Sequence, residues 1–169
     1  GLIIFDGHES CLETGHGAYA RNRFTRQIFS RCAGLAPLYT GSNLGNGLWH
    51  VLSFISWGEF DRDKGIRGTM LDYRIMRQVQ LLRNRMPNKM GQYYPGGATL
   101  EDIEWIMARA CGWDAGVDFH VFPGELENNP QKDAILDAIR LWDKARLEGA
   151  FDGAQRLALR QTDRLFSLA

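Results

Sequence analysis

Residues 99–119 read TLEDIEWIMARACGWDAGVDF, and their reading sets the expectation for the whole fold. TLED is a helix start: the Thr99 hydroxyl can accept a backbone N–H near Asp102, whose carboxylate can reach back. The helix so opened runs to about Cys111, with Gly112 as its C-cap. AGVDFHVF, residues 115–122, then reads as a strand. A helix passing almost directly into a strand is half of a β/α repeat.

The same rhythm extends in both directions. KMGQYY (89–94) is a strand candidate closed by PGG. Downstream, NNPQKD opens a long helix, with Asn129 as N-cap and Pro130 in its first turn, ending near Gly149. Residues 153–167 form a short amphipathic helix. Toward the N-terminus, LIIFD (2–6) and APLYTGS (36–42) read as strands. Between them, residues 16–33 place Tyr19, Phe24, Ile28 and Phe29 near helical spacing, ending at Gly34. An insertion follows with GSNLGNG and LWHVLSFISW, helix or strand, and then a helix over about 66–86 that Pro87 stops. Phe24, Phe29, Met70, Met76, Trp105, Met107 and Trp142 are the expected core aromatics and methionines of the helices.

Four consecutive β/α units imply parallel strands with helical crossovers. A small open α/β sheet fits, and so does half of a TIM (β/α)8 barrel, whose full form takes about 250 residues. The second is the expectation adopted: residues 1–150 as half of a β/α barrel, a fragment of a larger enzyme, and 151–169 as a helical tail leading out of it. The chain opens on a strand without methionine, as a piece cut from a longer protein would.

Lysine plus arginine equals aspartate plus glutamate, so no net field favours nucleic acid or an acidic membrane. The cations are 16 arginines against 4 lysines, several of them within 21–31 and 62–85. Solvated helix faces with salt bridges are the expected explanation, not a nucleic-acid patch. Three scattered cysteines make neither a disulfide framework nor a zinc module. No apolar run is long enough to span a membrane. GSNLGNG lacks the ending of a P-loop, and no dinucleotide fingerprint follows a strand, so no cofactor is expected.

Residues just after each strand would converge on one rim of such a barrel. Asp6, His8 and Glu9 follow the first strand, and Ser42 and Asn43 the second. Tyr93 and Tyr94 end the third, and His120 and Glu125 belong to the fourth. The insertion adds Trp49, His50, Trp57 and Glu59. Carboxylates with indoles and phenols in one cleft suit sugar chemistry, where two carboxyl groups stand about 5 Å apart for retention or about 6.5–9.5 Å for inversion. The expected catalytic residues are Asp6, Glu9 and Glu59. Substrate contacts fall to His8, Asn43, Trp49, His50, Trp57, Tyr93, Tyr94 and His120. Asp6, His8, His16 and His120 leave a metal-dependent hydrolase as an alternative, and a non-catalytic sugar-binding barrel is a second. No metal is expected in the main reading.

FDGHESCLETGHGAYARNRF (5–24), GSN…LWH…WGEF and the 99–119 stretch together resemble glycoside-hydrolase-like barrel proteins of polysaccharide-degrading bacteria. The likeness implies the C-terminal half of the barrel, with Asp6 as nucleophile and Glu59 or Glu9 as acid/base. It also implies a carbohydrate substrate, a missing N-terminal half or a second copy as partner, and export from the cell.

Overall fold

A computed structural model describes residues 2–5, 16–35, 38–41, 54–55, 63–71, 88–94 and 96–168. The chain divides into two compact units, Gly1–Trp57 with Arg85–Pro87, and Gly58–Asn84 with Asn88–Ala169. In the first unit, β1 (Leu2–Phe5) is followed by α1 (Ala18–Cys32), a single 3-10 turn (Ala33–Leu35), β2 (Leu38–Gly41) and β3 (Phe54–Ile55). β1 runs parallel to β2, with Leu2 opposite Leu38, and β2 parallel to β3, with Thr40 opposite Phe54. The ambiguous LWHVLSFISW therefore holds a short strand.

The second unit holds α2 (Gly65–Met70), β4 (Asn88–Tyr93), α3 (Leu100–Trp113), β5 (Ala115–His120), α4 (Lys132–Leu147) and α5 (Gly153–Leu159). β4 and β5 pair in parallel, from Asn88 opposite Ala115 to Tyr93 opposite His120. α3 opens as its sequence specifies. The Thr99 hydroxyl accepts from the Asp102 N–H at 3.2 Å, and the Asp102 carboxylate accepts from the Thr99 N–H at 3.3 Å. Such a cap is worth about 1 kcal/mol.

Every residue of α3 from Trp105 to Trp113 is buried. A helix buried all round is the middle of a core and cannot be the outer layer of a barrel. α3 packs on α4, α5, α2, β4 and β5. Met70, Met90, Ala115, Ile135 and Trp142 join its Ile103 and Ile106 in one core cluster.

Arg109 sits in the middle of this run, fully buried. Its guanidinium donates to the carbonyls of Trp105, Gln161 and Arg164, and lies 4.5 Å from the Trp105 ring centroid and 5.5 Å from that of Phe166. The Trp105 indole donates to the Thr162 carbonyl at 3.1 Å, and Arg160 to the Gly112 carbonyl at 2.7 Å. The C-terminal segment is thus bound back onto α3.

These findings correct the expected fold. Helices hold more than twice as many of the described residues as strands. Each unit carries a short parallel set of strands, and the larger unit is built around a central helix. No half-barrel of four β/α units exists among the described residues, so the barrel-fragment reading drawn from the alternation and the resemblance that agreed with it are both overturned. β/α alternation is local, whereas a barrel needs each helix to keep one face for solvent, and α3 keeps none from Trp105 to Trp113.

Two smaller corrections concern turns. α3 runs past Gly112 and is capped by Asp114 in the left-handed region, φ 51°. Its carboxylate there meets Arg146 at 3.6 Å and Arg156 at 3.7 Å. Gly112 serves close approach instead: a Cβ there would stand 2.9 Å from the Arg156 carbonyl and 3.0 Å from the Arg160 nitrogen. Asn129 precedes the first turn of α4 as a buried turn residue, its Oδ1 accepting from Gln131 N–H at 2.8 Å. The end of α4 does follow expectation. Gly149 has φ 68°, and the bonds Ala150 N–H to Ala145 and Gly149 N–H to Arg146 close a Schellman turn.

Of the expected core residues, Met70, Trp105, Met107 and Trp142 are buried, while Phe24 and Phe29 are exposed and Met76 lies outside the described residues. A glycine-to-alanine change within a helix ordinarily gains up to about 1 kcal/mol. At Gly112 we expect the opposite sign, a loss of about 1–3 kcal/mol in urea denaturation, because the added methyl forces α5 away from α3. Arg109→Met should cost about 2–4 kcal/mol by leaving buried carbonyls unpaired. Limited proteolysis should then cut within 161–168 faster than in the parent.

Candidate functional site

Most of the expected site cannot be placed. Asp6, His8, Glu9, Asn43, Trp49, His50, Trp57 and Glu59 lie outside the described residues. Three of the expected residues are in the second unit. Tyr93 and His120 stand opposite each other at the ends of β4 and β5, as parallel pairing requires. His120 is exposed, its ring 4.8 Å from that of Phe122.

Tyr94 is different in kind, being only 2% exposed. Its hydroxyl accepts from Asn129 Nδ2 at 2.9 Å, and the same amide group donates to the carbonyls of Ala98 at 2.8 Å and Gly96 at 3.2 Å. Burial raises the pKa of the phenol. This hydroxyl anchors the loop after β4 within the core. His16 is exposed in the turn that opens α1, its carbonyl accepting from the Tyr19 N–H at 3.2 Å. Among the described residues no three histidine, cysteine, aspartate or glutamate side chains gather as a metal site.

The glycoside-hydrolase reading and its metal-hydrolase alternative both required strand ends converging on one barrel rim. Without that scaffold, paired-carboxylate hydrolysis of a polysaccharide, the carbohydrate substrate and the missing half-barrel partner are all withdrawn. The sugar-binding barrel falls for the same reason. No helix among the described residues is long and apolar enough to cross a membrane.

The arrangement with chemical capacity lies on α1. Its sequence, AYARNRFTRQIFSRC, contains four arginines and no carboxylate. The helix turns Arg21 and Thr25 inward, and the Thr25 hydroxyl donates to the Arg21 carbonyl at 3.0 Å. The opposite face carries Tyr19, Asn22, Arg23, Arg26, Gln27, Ser30 and Arg31, spaced at three- and four-residue steps, and these line a groove of about 520 Å³. Tyr19 is 63% exposed and Phe24, bordering the groove face, 52%. Arg23 donates to the Tyr19 hydroxyl at 3.1 Å, which holds the guanidinium beside the ring. Asn22 Oδ1 is buried without a hydrogen-bond partner among the described residues.

Sequence reasoning placed Tyr19, Phe24, Ile28 and Phe29 near helical spacing, with Phe24 and Phe29 in the core, and assigned the arginines to solvated faces with salt bridges. The structure leaves Tyr19, Phe24 and Phe29 exposed and Ile28 half-buried, and among the described residues none of the four α1 arginines has an ion pair. The signal that could have shown this is the absence of any aspartate or glutamate across α1. A salt-bridged surface helix interleaves both signs.

These are a predominantly helical protein of two units and a cationic helix face. Comparison with protein families, with curated proteins and with solved structures finds no match in any of the three.

Two cysteines among the described residues offer a chemical check on the packing. Cys111 is buried in α3, its thiol 3.5 Å from the Trp142 carbonyl, and burial pushes its pKa up to about 12. Cys32 ends α1 and is half-buried. Iodoacetamide at neutral pH should therefore leave Cys111 unlabelled in the folded chain and modify it only after denaturation, as read by mass spectrometry. The raised pKa favours the folded state below the ordinary thiol range, and that contribution is lost as pH rises toward 12.

Proposed function

We propose that this chain is a binding module and that the exposed face of α1 receives an anionic ligand. The observation that carries the reading is the set of Arg23, Arg26 and Arg31 on one exposed face of a helix that has no carboxylate. Like charges three or four residues apart on a helix repel by a few tenths of a kcal/mol per pair. A structural role for so many arginines would normally bring partners that offset the repulsion. An incoming anion supplies that compensation. Arginine suits the task, because its planar fork meets phosphate, sulfate or carboxylate oxygens in pairs.

Heparin is a suitable first probe, since it carries dense charge and no nucleobase. Wild-type chain should bind fluorescently labelled heparin at low ionic strength and release it as salt is added. Changing Arg23, Arg26 and Arg31 together to glutamine should weaken binding by at least roughly tenfold, while the thermal midpoint holds, because all three are exposed. Unchanged affinity in that variant would refute the reading.

A further inference from the structure

We propose that the anion taken by α1 is single-stranded nucleic acid, its phosphates held by Arg23, Arg26 and Arg31 and its bases stacked on Tyr19 and Phe24. This rests on α1 being an anion-binding surface and adds what that surface recognises.

Three observations select this ligand among polyanions. The first is aromatic exposure. Tyr19 and Phe24 present large ring surface to solvent beside the arginines. A sulfated glycan or an acidic peptide needs only the cations, whereas an unpaired base also covers a ring. Second, the groove carries hydrogen-bonding groups that a simple charge receptor does not use. Asn22, Gln27 and Ser30 lie between the arginines, and amide side chains can pair with two atoms of a base edge at once. Third, the spacing suits a strand. From Arg23 to Arg31 the helix rises about 12 Å, a length matched by a few consecutive phosphates of one strand.

Stacking decides between single strand and duplex. Bases within a duplex already cover one another, so exposed rings gain little from it. Unstacked bases are free to take an aromatic platform. Arg23 bonded to the Tyr19 hydroxyl adds a guanidinium at the ring's edge, placing a phosphate contact and a base contact in adjacent positions.

The test compares three labelled probes on the wild-type chain by fluorescence anisotropy: a short oligothymidylate, an abasic oligomer with the same number of phosphates, and heparin. Oligothymidylate should bind roughly tenfold more tightly than the abasic oligomer. Tyr19→Ala should abolish that difference and Tyr19→Trp should keep it, with heparin binding unchanged in both. The glutamine variant of the three arginines should flatten the dependence of log affinity on log salt by about 2 for oligothymidylate. Equal binding of oligothymidylate and the abasic oligomer, with heparin still bound, would overturn the nucleic-acid assignment and leave the anion surface standing. A polyglutamate peptide binding as tightly as oligothymidylate would overturn it as well. Loss of all three probes would remove both readings together.

Discussion

Arg109 is a cation placed at the centre of a helical run, Trp105–Trp113, that has no solvent-facing side. Moving a guanidinium out of water is costly unless its donors are met. Here Nη1 and Nη2 donate to the carbonyls of Trp105, Gln161 and Arg164, Nε stays buried without a partner among the described residues, and the flat faces of the ion rest against Trp105 and Phe166. Burial and the nearby Arg67 lower its pKa to about 10, which still leaves it charged at neutral pH. Because the charge persists, the C-terminal carbonyls cannot leave without stranding it. That requirement fixes the segment after α5 against α3, and with it the last open side of the central helix.

The surroundings of α3 follow from this closure. Once the segment is in place, Arg160 can reach the Gly112 carbonyl while its guanidinium stacks 4.1 Å from the Trp113 ring. α5 then approaches so closely that only glycine fits at 112. At the other end, Arg67 of α2 binds both Glu101 and Asp102, whose carboxylates also suit the positive N-terminus of α3. Arginine therefore does the joining throughout the second unit, each time with a carbonyl, a carboxylate or a ring as partner.

Against that pattern the arginines of α1 stand apart. The second unit shows what this chain does with an arginine whose role is structural: Arg67, Arg109, Arg146, Arg156 and Arg160 each have partners. Arg26 and Arg31 have none among the described residues, and Arg23 has only the hydroxyl of exposed Tyr19. A surplus of one residue type, balanced overall by acidic residues elsewhere, hid this difference in the net charge. The distribution matters because screening confines each exposed charge to about 10 Å, so a helix without carboxylates is cationic whatever the sum over the chain.

Local chemistry was legible in the residues themselves. The Thr99–Asp102 capping box, the Schellman turn at Gly149, the strand after Trp113 and the burial of Met70, Trp105, Met107 and Trp142 all depend on neighbours within a few positions or on apolar character alone. The candidate site was partly legible, since AYARNRFTRQIFSRC visibly lacks acid, but which stripe of that helix faces outward was not. Arg21 and Thr25 lie inside while Tyr19, Phe24 and Phe29 lie outside, against the order that hydropathy suggests. That the Tyr94 hydroxyl accepts from Asn129, 35 residues away, was likewise not legible. The sequence by itself determined which segments form helices and strands, though not every end of them, because caps, turns and periodicity act over one or two turns of chain. Only the tertiary structure decided what they pack against, because the carbonyls that satisfy Arg109 come from more than fifty residues further along and no local pattern encodes a partner at that distance.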